Sequence, residues 1–270
     1  MRYDPLKKII GNAVRKSVIL RKTFYLILGL LFLREWYVKR ALMRIFTATP
    51  SPKKVYDAGS GFGQYSYFIA NHFPKVEILA VDVKEEQIID CSEFFQNAKI
   101  TNVNFAVEDL TIPIHRNEFD LILSVDVMEH IPDDVGVFRN FSMALKENGI
   151  LIVNTPSNLG GSDVHSKGEE SFIEEHCRDG YSVDEIRNKL ESAGLSIEEI
   201  VYTYGTYGNI AWKLGIKYPM QMLNKSKFFV LIIPFYYILT ILFTFLLMRV
   251  DYSKKNTSGT GLLVIAKKRA

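Results

Sequence analysis

Short apolar runs alternate with segments of helical periodicity through most of the chain, an order that predicts an α/β domain. Strands are expected at about 53–58, 76–82, 102–107, 119–125, 150–154, 196–204 and 261–266. The run Phe119–Val125 is almost wholly apolar, as a central strand covered on both faces requires. Helices are expected from Gln64 to near Phe73-Pro74, from Glu85 to Ala98, and from a Pro132-Asp133-Asp134 start to Lys146. A further one opens at Ser182-Val183-Asp184-Glu185, which matches a capping box, and stops at Gly194. Pro50 and Pro52 separate this domain from an N-terminal segment whose spacing predicts helix over 6–46.

The strand near Val55 ends in an acid and then three glycines at alternate positions, Asp57-Ala58-Gly59-Ser60-Gly61-Phe62-Gly63, before a helical pattern begins. Glycine admits positive φ and close approach of a ligand to the backbone, and the helix N-terminus behind the turn offers unpaired N–H groups. Such a turn reads as a cradle for a nucleotide-type cofactor. Asp82 ends the next strand, placed to accept the hydroxyl hydrogens of a ribose, and Asp109 follows the third. One rim of the sheet thus collects the glycine turn and two carboxylates.

In this order Asp57-x-Gly59-x-Gly61-x-Gly63, Asp82, Glu108-Asp109-Leu110 and Phe119-Asp120-Leu121-Ile122 resemble the successive motifs of class I S-adenosylmethionine-dependent methyltransferases. The resemblance covers roughly residues 50–204 and the last ten. It implies a Rossmann-like seven-stranded sheet of order 3-2-1-4-5-7-6, strand 7 antiparallel, with helices on both faces. It implies S-adenosylmethionine as cofactor, with Gly59 and Gly61 near its methionine part and Asp57 and Gly63 completing the glycine turn. Asp82, followed by Val83, would hold the ribose, and Asp109 and Leu110 would border the adenine.

Domain organisation follows from this frame: a basic and apolar arm at 1–49, a methyltransferase domain at 50–204 plus 259–270, and a hydrophobic insertion at 205–258. Phe228–Met248 is a run of 21 residues without a charge, long enough to cross a bilayer. If the strands on either side of the insertion pair in one sheet, its two ends lie on the same side of any membrane. The run must therefore dip and return, lie in the interface, or be buried against protein. Pro234 offers the break for a re-entrant pair of short helices. Lys225, Lys227, Arg249, Lys254 and Lys255 flank the run and suit anionic head groups.

The net charge of +3 conceals an uneven distribution: residues 1–45 carry +9 and the remainder −6. In the arm, the apolar stretch Phe24–Leu33 is too short to span a bilayer. Arg15, Lys16, Arg21 and Lys22 precede it, and Arg34, Lys39, Arg40 and Arg44 follow, a pattern that suits an interfacial helix. A helical cap over the cofactor site, with solvated charges, fits equally. Long aliphatic residues interleave with the basic ones, which argues against a nucleic-acid grip. No secretory signal is expected, and Cys91 and Cys177 stand in no close-spaced metal pattern.

An oxygen nucleophile attacking the activated methyl group would need a base. His130 is the first candidate, with Glu129 and Asp126 next, all in the stretch after the fourth strand; local hydrogen bonding that orders the loop is the alternative for each. Asp126-x-x-Glu129-His130 also resembles the Glu-x-x-Glu-His cluster of some metal-dependent methyltransferases, with Asp in place of the first Glu. His165 and His176 would complete such a site, although no metal is assigned. The connection 155–181, with Asn158, Arg178 and Tyr181, is the expected acceptor side. The expected activity is methyl transfer to a small molecule, lipid-like or membrane-linked, at the inner face of the cytoplasmic membrane. A soluble small-molecule or RNA methyltransferase, and a non-catalytic cofactor-binding membrane protein, remain open.

Overall fold

A computed structural model describes residues 17–160, 177–226 and 228–269. Strands β1 (Lys54–Ala58), β2 (Glu77–Asp82), β3 (Val103–Val107), β4 (Phe119–Val125), β5 (Leu145–Pro156), β6 (Leu195–Thr203) and β7 (Gly261–Lys268) form one sheet of order β3-β2-β1-β4-β5-β7-β6. The five strands β1 to β5 run parallel. β7 lies antiparallel between β5 and β6, with Val264 opposite Val153 on one side and Ile200 on the other. The expected strand order and the reversed last strand are both present.

Alternation along the strands builds two cores, because successive side chains point to opposite faces. Val55, Leu121, Ile152 and Ile265 pack on one face with Leu42, Tyr65, Ile69 and Phe94. Ile122, Val153 and Val264 pack on the other with Phe138, Phe141, Ile186 and Leu190. The helices that supply these partners between the strands are α3 (Gln64–His72), α4 (Glu85–Asn97), α5 (Asp134–Ala144) and α6 (Val183–Ser192). The predicted caps hold α5 and α6: Gly136 N–H donates to Asp133 Oδ1 at 3.0 Å, and Glu185 N–H to Ser182 Oγ at 3.1 Å. α5 stops at Ala144 rather than Lys146, since Leu145 already pairs with Phe119 in the sheet.

The described part of the arm is helical, as expected, but in two pieces. It forms α1 (Val18–Leu31) and α2 (Leu33–Thr47), divided at Phe32, which is extended at φ −108° and ψ 112°. Local sequence supplies no Pro or Gly at this bend; tertiary packing imposes it. α2 lies on the sheet-side core through Val38, Leu42 and Phe46, while α1 turns across the glycine loop. Arg21 anchors α1 there, only 1% exposed, donating to Asp90 at 2.5 Å and to the Phe62 carbonyl at 2.9 Å. Tyr25 donates to the same carbonyl at 2.5 Å.

Among the described residues of the arm, most of the positive charge is met within the protein, as the reading of a helical cap over the cofactor site allows. Arg21 pairs with Asp90, Arg34 with Asp126, Lys39 with Glu35 and Arg44 with Glu199. Arg40 stacks on Tyr252. Lys22 stays exposed, and Arg15 and Lys16 lie outside the described residues.

The insertion is a helical hairpin. α7 (Thr206–Trp212), a π-helical turn (Lys213–Lys217) and α8 (Tyr218–Lys225) lead outward, and α9 (Phe229–Ser253) returns. Tyr236 and Tyr237 tie the two legs, donating to the carbonyls of Leu214 at 2.8 Å and Gly215 at 2.7 Å. The expected break at Pro234 is absent: α9 is continuous. Proline near the start of a helix forfeits one backbone bond there, too little to stop a helix of 25 residues. The chain reverses around Ser226–Phe228 instead.

Burial against protein is also excluded for most of α9. Only 6% of its most apolar 18-residue window is buried, and Phe235, Ile238, Leu239 and Leu242 are exposed. Among the described residues α9 is the one helix long and apolar enough to cross a membrane by length and composition. Its last turns dock on the domain through Leu247, Met248 and fully buried Asp251, which accepts from Tyr37 at 3.0 Å and from Gly208 N–H at 2.9 Å.

Removing one partner of a buried ion pair leaves the other charge uncompensated. Arg21→Met is therefore expected to destabilise the chain by roughly 3–5 kcal/mol, read as a lower urea midpoint. An unchanged midpoint would contradict the docking of α1 described above.

Candidate active site

The glycine turn is built by backbone geometry. Gly59, Gly61 and Gly63 have φ of 81°, 53° and 73°. A Cβ on Gly59 would lie 2.3 Å from Val127 Cγ2, so the turn and the loop after β4 touch through that glycine. The N–H groups of Gly59 and Ser60 donate to the Val81 carbonyl at 2.9 and 2.8 Å, fixing the turn to the end of β2. Asp82 completes this tie: Oδ2 accepts from Gly61 N–H at 3.1 Å and Oδ1 from Lys84 N–H at 3.0 Å.

Asp57 and Gly63 stand behind the cradle rather than in it. Neither lines the cavity above the turn, whereas Gly59, Gly61, Asp82, Val83, Asp109 and Leu110 all do. Asp57 is 2% exposed and accepts from Ser66 Oγ at 2.6 Å, so it orients the first turn of α3. Burial pushes its carboxyl up to about 6. Gly63 is the left-handed N-cap of α3. At the rim, Asp109 accepts from the Thr111 N–H at 2.9 Å and hydroxyl at 2.8 Å, and these bonds hold its pKa below the usual value. Glu108 is gripped by Tyr56 at 2.7 Å and His115 at 3.1 Å, an arrangement that no motif announced.

The loop after β4 brings Asp126, Glu129 and His130 to the same cavity. Asp126 has φ 53°, a left-handed conformation that its partners stabilise. Its N–H donates to the Asn154 carbonyl at 2.8 Å, and its Oδ1 accepts from Asn154 Nδ2 at 3.0 Å. Arg34, delivered by α2, pairs with Oδ2. Periodicity had placed Arg34 among interfacial charges; only the bend at Phe32, invisible to pattern, turns it into the cavity.

Glu129 is 1% exposed and accepts from Thr155 Oγ1 at 3.2 Å. Burial is the main cause that pushes its carboxyl up to about 7, with Thr155 and the charges of Arg34 and Arg178 opposing. His130 sits in the 3-10 turn Met128–His130, its N–H donating to the Val127 carbonyl at 3.0 Å. Among the described residues no group of three His, Cys, Asp or Glu side chains gathers to hold a metal; His165 and His176 lie outside them.

Two expected acceptor contacts are instead structural. Tyr181 is fully buried and donates to Asp134 at 2.7 Å, and Arg178 pairs with the same carboxylate, so both brace the loop after β4 from behind. Neither lines the cavity, whose volume is about 1110 Å³. Beyond Arg34 the cavity passes between α1 and the hairpin, along Leu28, Leu31, Trp212, Ile216, Leu223 and Tyr237. One end is polar and acidic, the other apolar.

This arrangement, an acid-rimmed glycine turn on a sheet with a reversed last strand, defines a class of protein. The family described as "Methyltransferase domain" matches residues 51–201, and the chain belongs to it. Family and fold agree with the class I S-adenosylmethionine-dependent methyltransferases that the motifs resemble. Phosphoethanolamine N-methyltransferase 1 of Triticum aestivum is 29% identical over 144 residues, which are 53% of this chain and 28% of that protein. Malonyl-acyl-carrier-protein O-methyltransferase of Bacillus cereus is 26% identical over 208 residues, 73% of this chain and 72% of that one. Among solved structures, phosphoethanolamine N-methyltransferase 2 of Haemonchus contortus, in complex with S-adenosyl-L-methionine, is 18% identical with a TM-score of 0.61. That likeness covers 87% of this chain and 53% of the other. The chain spans less than a third of the length of the wheat relative.

The folded chain keeps the Glu129 proton over a range in which the unfolded chain has lost it. The group's contribution to stability is complete below about pH 4.5 and declines as pH rises to about 7. Glu129→Gln has no such decline. Its urea-unfolding free energy is expected to gain on wild type by roughly 3 kcal/mol between pH 4.5 and 7.5, then run parallel. A pH-independent difference would contradict the buried, proton-holding carboxyl.

Proposed function

We propose that this chain is an S-adenosylmethionine-dependent methyltransferase acting at the inner face of the cytoplasmic membrane on a small lipid-like molecule. The observation that carries the reading is the two-part cavity: a nucleoside-type cradle opening into an apolar passage walled by α1 and the hairpin, beside the exposed face of α9. Exposed apolar surface of this extent marks an interaction site. Arg249 in the last turns of α9 and Lys255 beyond it, with Lys225 before it, suit an anionic leaflet. The hairpin returns to its own side of the sheet, so it dips into a leaflet without carrying β7 across.

The residues fit a sulfonium nucleoside. Asp82 keeps acceptor capacity for ribose hydroxyls, since each oxygen takes only one backbone bond. A Cβ at Gly61 would meet nothing within 4 Å, so the turn presents open backbone to a ligand. Leu110 and Val83 supply apolar contact for a base. The cofactor supplies a methyl group activated by the positive charge on its sulfur.

The protein's own work is to place the acceptor and hold its proton. Glu129 is the preferred base: its carboxyl is pushed up to about 7, close to the working pH where general-base catalysis is most effective. Asp126 is committed to Arg34 and Asn154 and orders the loop. Against an RNA acceptor, four of the arm's described cations are paired with Asp90, Asp126, Glu35 and Glu199.

Given methyl-labelled cofactor and separate lipid, RNA and protein extracts, the purified chain is expected to label the lipid fraction. It is expected to float with anionic vesicles and to stay down when Phe235, Leu239 and Leu242 are replaced by Ser. Label in RNA with no flotation would replace this reading by a soluble nucleic-acid enzyme.

With an acceptor in hand, kcat/KM should climb as pH passes through about 7 and level off above it. Glu129→Gln should abolish that limb and lower the plateau by about 10²-fold or more, whereas His130→Gln should keep the limb. Loss of the limb in the His130 variant alone would move the base to His130.

A further inference from the structure

α1 is turned inside out for a helix docked on a water-soluble body. Arg21 and Tyr25 face the glycine turn, and an apolar strip faces outward. Ile19, Leu26 and Leu30 are 75%, 64% and 45% exposed, and their helical spacing sets them in one row. None of the three lines the cavity. Lys22 is the one exposed charge on α1, which contains no acid. A surface helix ordinarily shows the reverse arrangement, with its charges in water and its apolar row against the core.

Two observations bear on what covers this strip. Trp36 on α2 donates its indole N–H to the Gly29 carbonyl of α1 at 2.6 Å and packs edge-on against Phe245 of α9, with ring centroids 5.2 Å apart. One ring therefore joins α1 to the apolar helix that is long enough to cross a bilayer and almost unburied along it. The second observation is the mouth of the cavity. Leu20 and Ile27, a fraction of a turn from the strip, line the cavity and are exposed as well, so they form its lip on α1. The hairpin contributes Leu223 and Ile233 to the same passage. Whatever covers α1 and α9 together also covers this apolar mouth. A folded partner there would stopper the passage, whereas a leaflet would supply it.

We propose that the outer strip of α1 is a second membrane-contacting surface, which together with α9 seats the mouth of the cavity on the leaflet. An acceptor then enters sideways from the acyl layer without crossing water. This deepens the membrane reading above and rests on it, but not on methyl transfer. The buried pair of Arg21 and Asp90 decides which side of α1 points outward. The helix thus meets lipid chiefly through Ile19, Leu26 and Leu30, with Lys22 at the edge to meet an anionic head group.

The two cysteines permit a direct test, since Cys91 is buried and Cys177 exposed. In a Cys177→Ser background of the full chain, Leu26→Cys is labelled with a polarity-sensitive fluorophore. Phosphatidylcholine vesicles containing phosphatidylglycerol are expected to shift its emission to the blue and raise it by about twofold or more. The same label at Glu147→Cys, exposed at the start of β5 on the opposite rim, should not respond. Replacing Ile19, Leu26 and Leu30 together by Ser should weaken vesicle partitioning by about tenfold and leave the urea midpoint nearly unchanged. A chain that floats through its hairpin while the Leu26 probe stays in water would overturn the α1 contact and spare the membrane reading. Absence of flotation would remove both. A blue shift that appears without vesicles and grows with protein concentration would assign the strip to a second copy of the chain and overturn the proposal.

Discussion

The placement of β7 between β5 and β6 governs how the rest of the molecule is arranged. An antiparallel strand in that position must enter from the rim where β5 and β6 end, so Tyr204 and Thr260 stand side by side, joined by a 3.1 Å backbone bond. Everything between 205 and 258 has to leave and return at that point. The excursion therefore stands over the rim that also carries the glycine turn, and it can only be a closed hairpin. α7 and α8 provide the outward leg and α9 the inward one, so an apolar helix of 25 residues is hung beside the site without severing the sheet. The wall of the cavity and the exposed apolar face are two sides of one excursion.

The arm closes the cavity from the opposite side, and buried charge directs how it does so. A guanidinium at 1% exposure is tolerable only when its donors are met, and Arg21 meets Asp90, the Phe62 carbonyl and Tyr25. The contact to Phe62 lands inside the glycine turn itself, so docking of α1 and the shape of the cradle are linked through one carbonyl. Arg34 does the equivalent for the loop after β4, reaching Asp126 at its left-handed φ. Two arginines thus couple the arm to the two loops between which a donor and an acceptor would meet.

Much of this could be read beforehand, and for physical reasons. Strand alternation, the apolar centre of β4, the helix starts before α5 and α6 and the acid-led glycine turn are local features whose periods survive in any fold. The reversed β7 came from resemblance rather than from pattern. What stayed hidden depends on contacts distant in sequence: the bend at Phe32, the pairing of Arg21 with a residue 69 positions away and of Arg34 with one 92 away. A basic and apolar arm has the same pattern whether its charges face lipid or carboxylates. Pro234 misled for the converse reason: near the start of a long helix it forfeits one backbone bond, and Tyr236 and Tyr237 hold the helix just beyond it to the π-turn. Arg178 and Tyr181 looked like acceptor contacts from their place on a long connection, yet Asp134 draws both inward.

The distinction between Glu129 and His130 shows what environment adds to residue type. By type alone histidine is the natural base near neutral pH, and a glutamate is too acidic to compete. Burial reverses the order of merit for the carboxylate: enclosed at 1% exposure, with one hydroxyl donor from Thr155, Glu129 is brought to about 7. The same enclosure places it at the junction of the polar and apolar parts of the cavity, next to Asn154 and Thr155 at the end of β5. On the proposed reading, a base at that junction would serve an acceptor whose polar head points at the sheet rim and whose tail points away from it. The fold, through the β5–β7–β6 edge, thus fixes where the polar and apolar parts of the cavity meet, whereas the identity of an acceptor resides in the few side chains that line it.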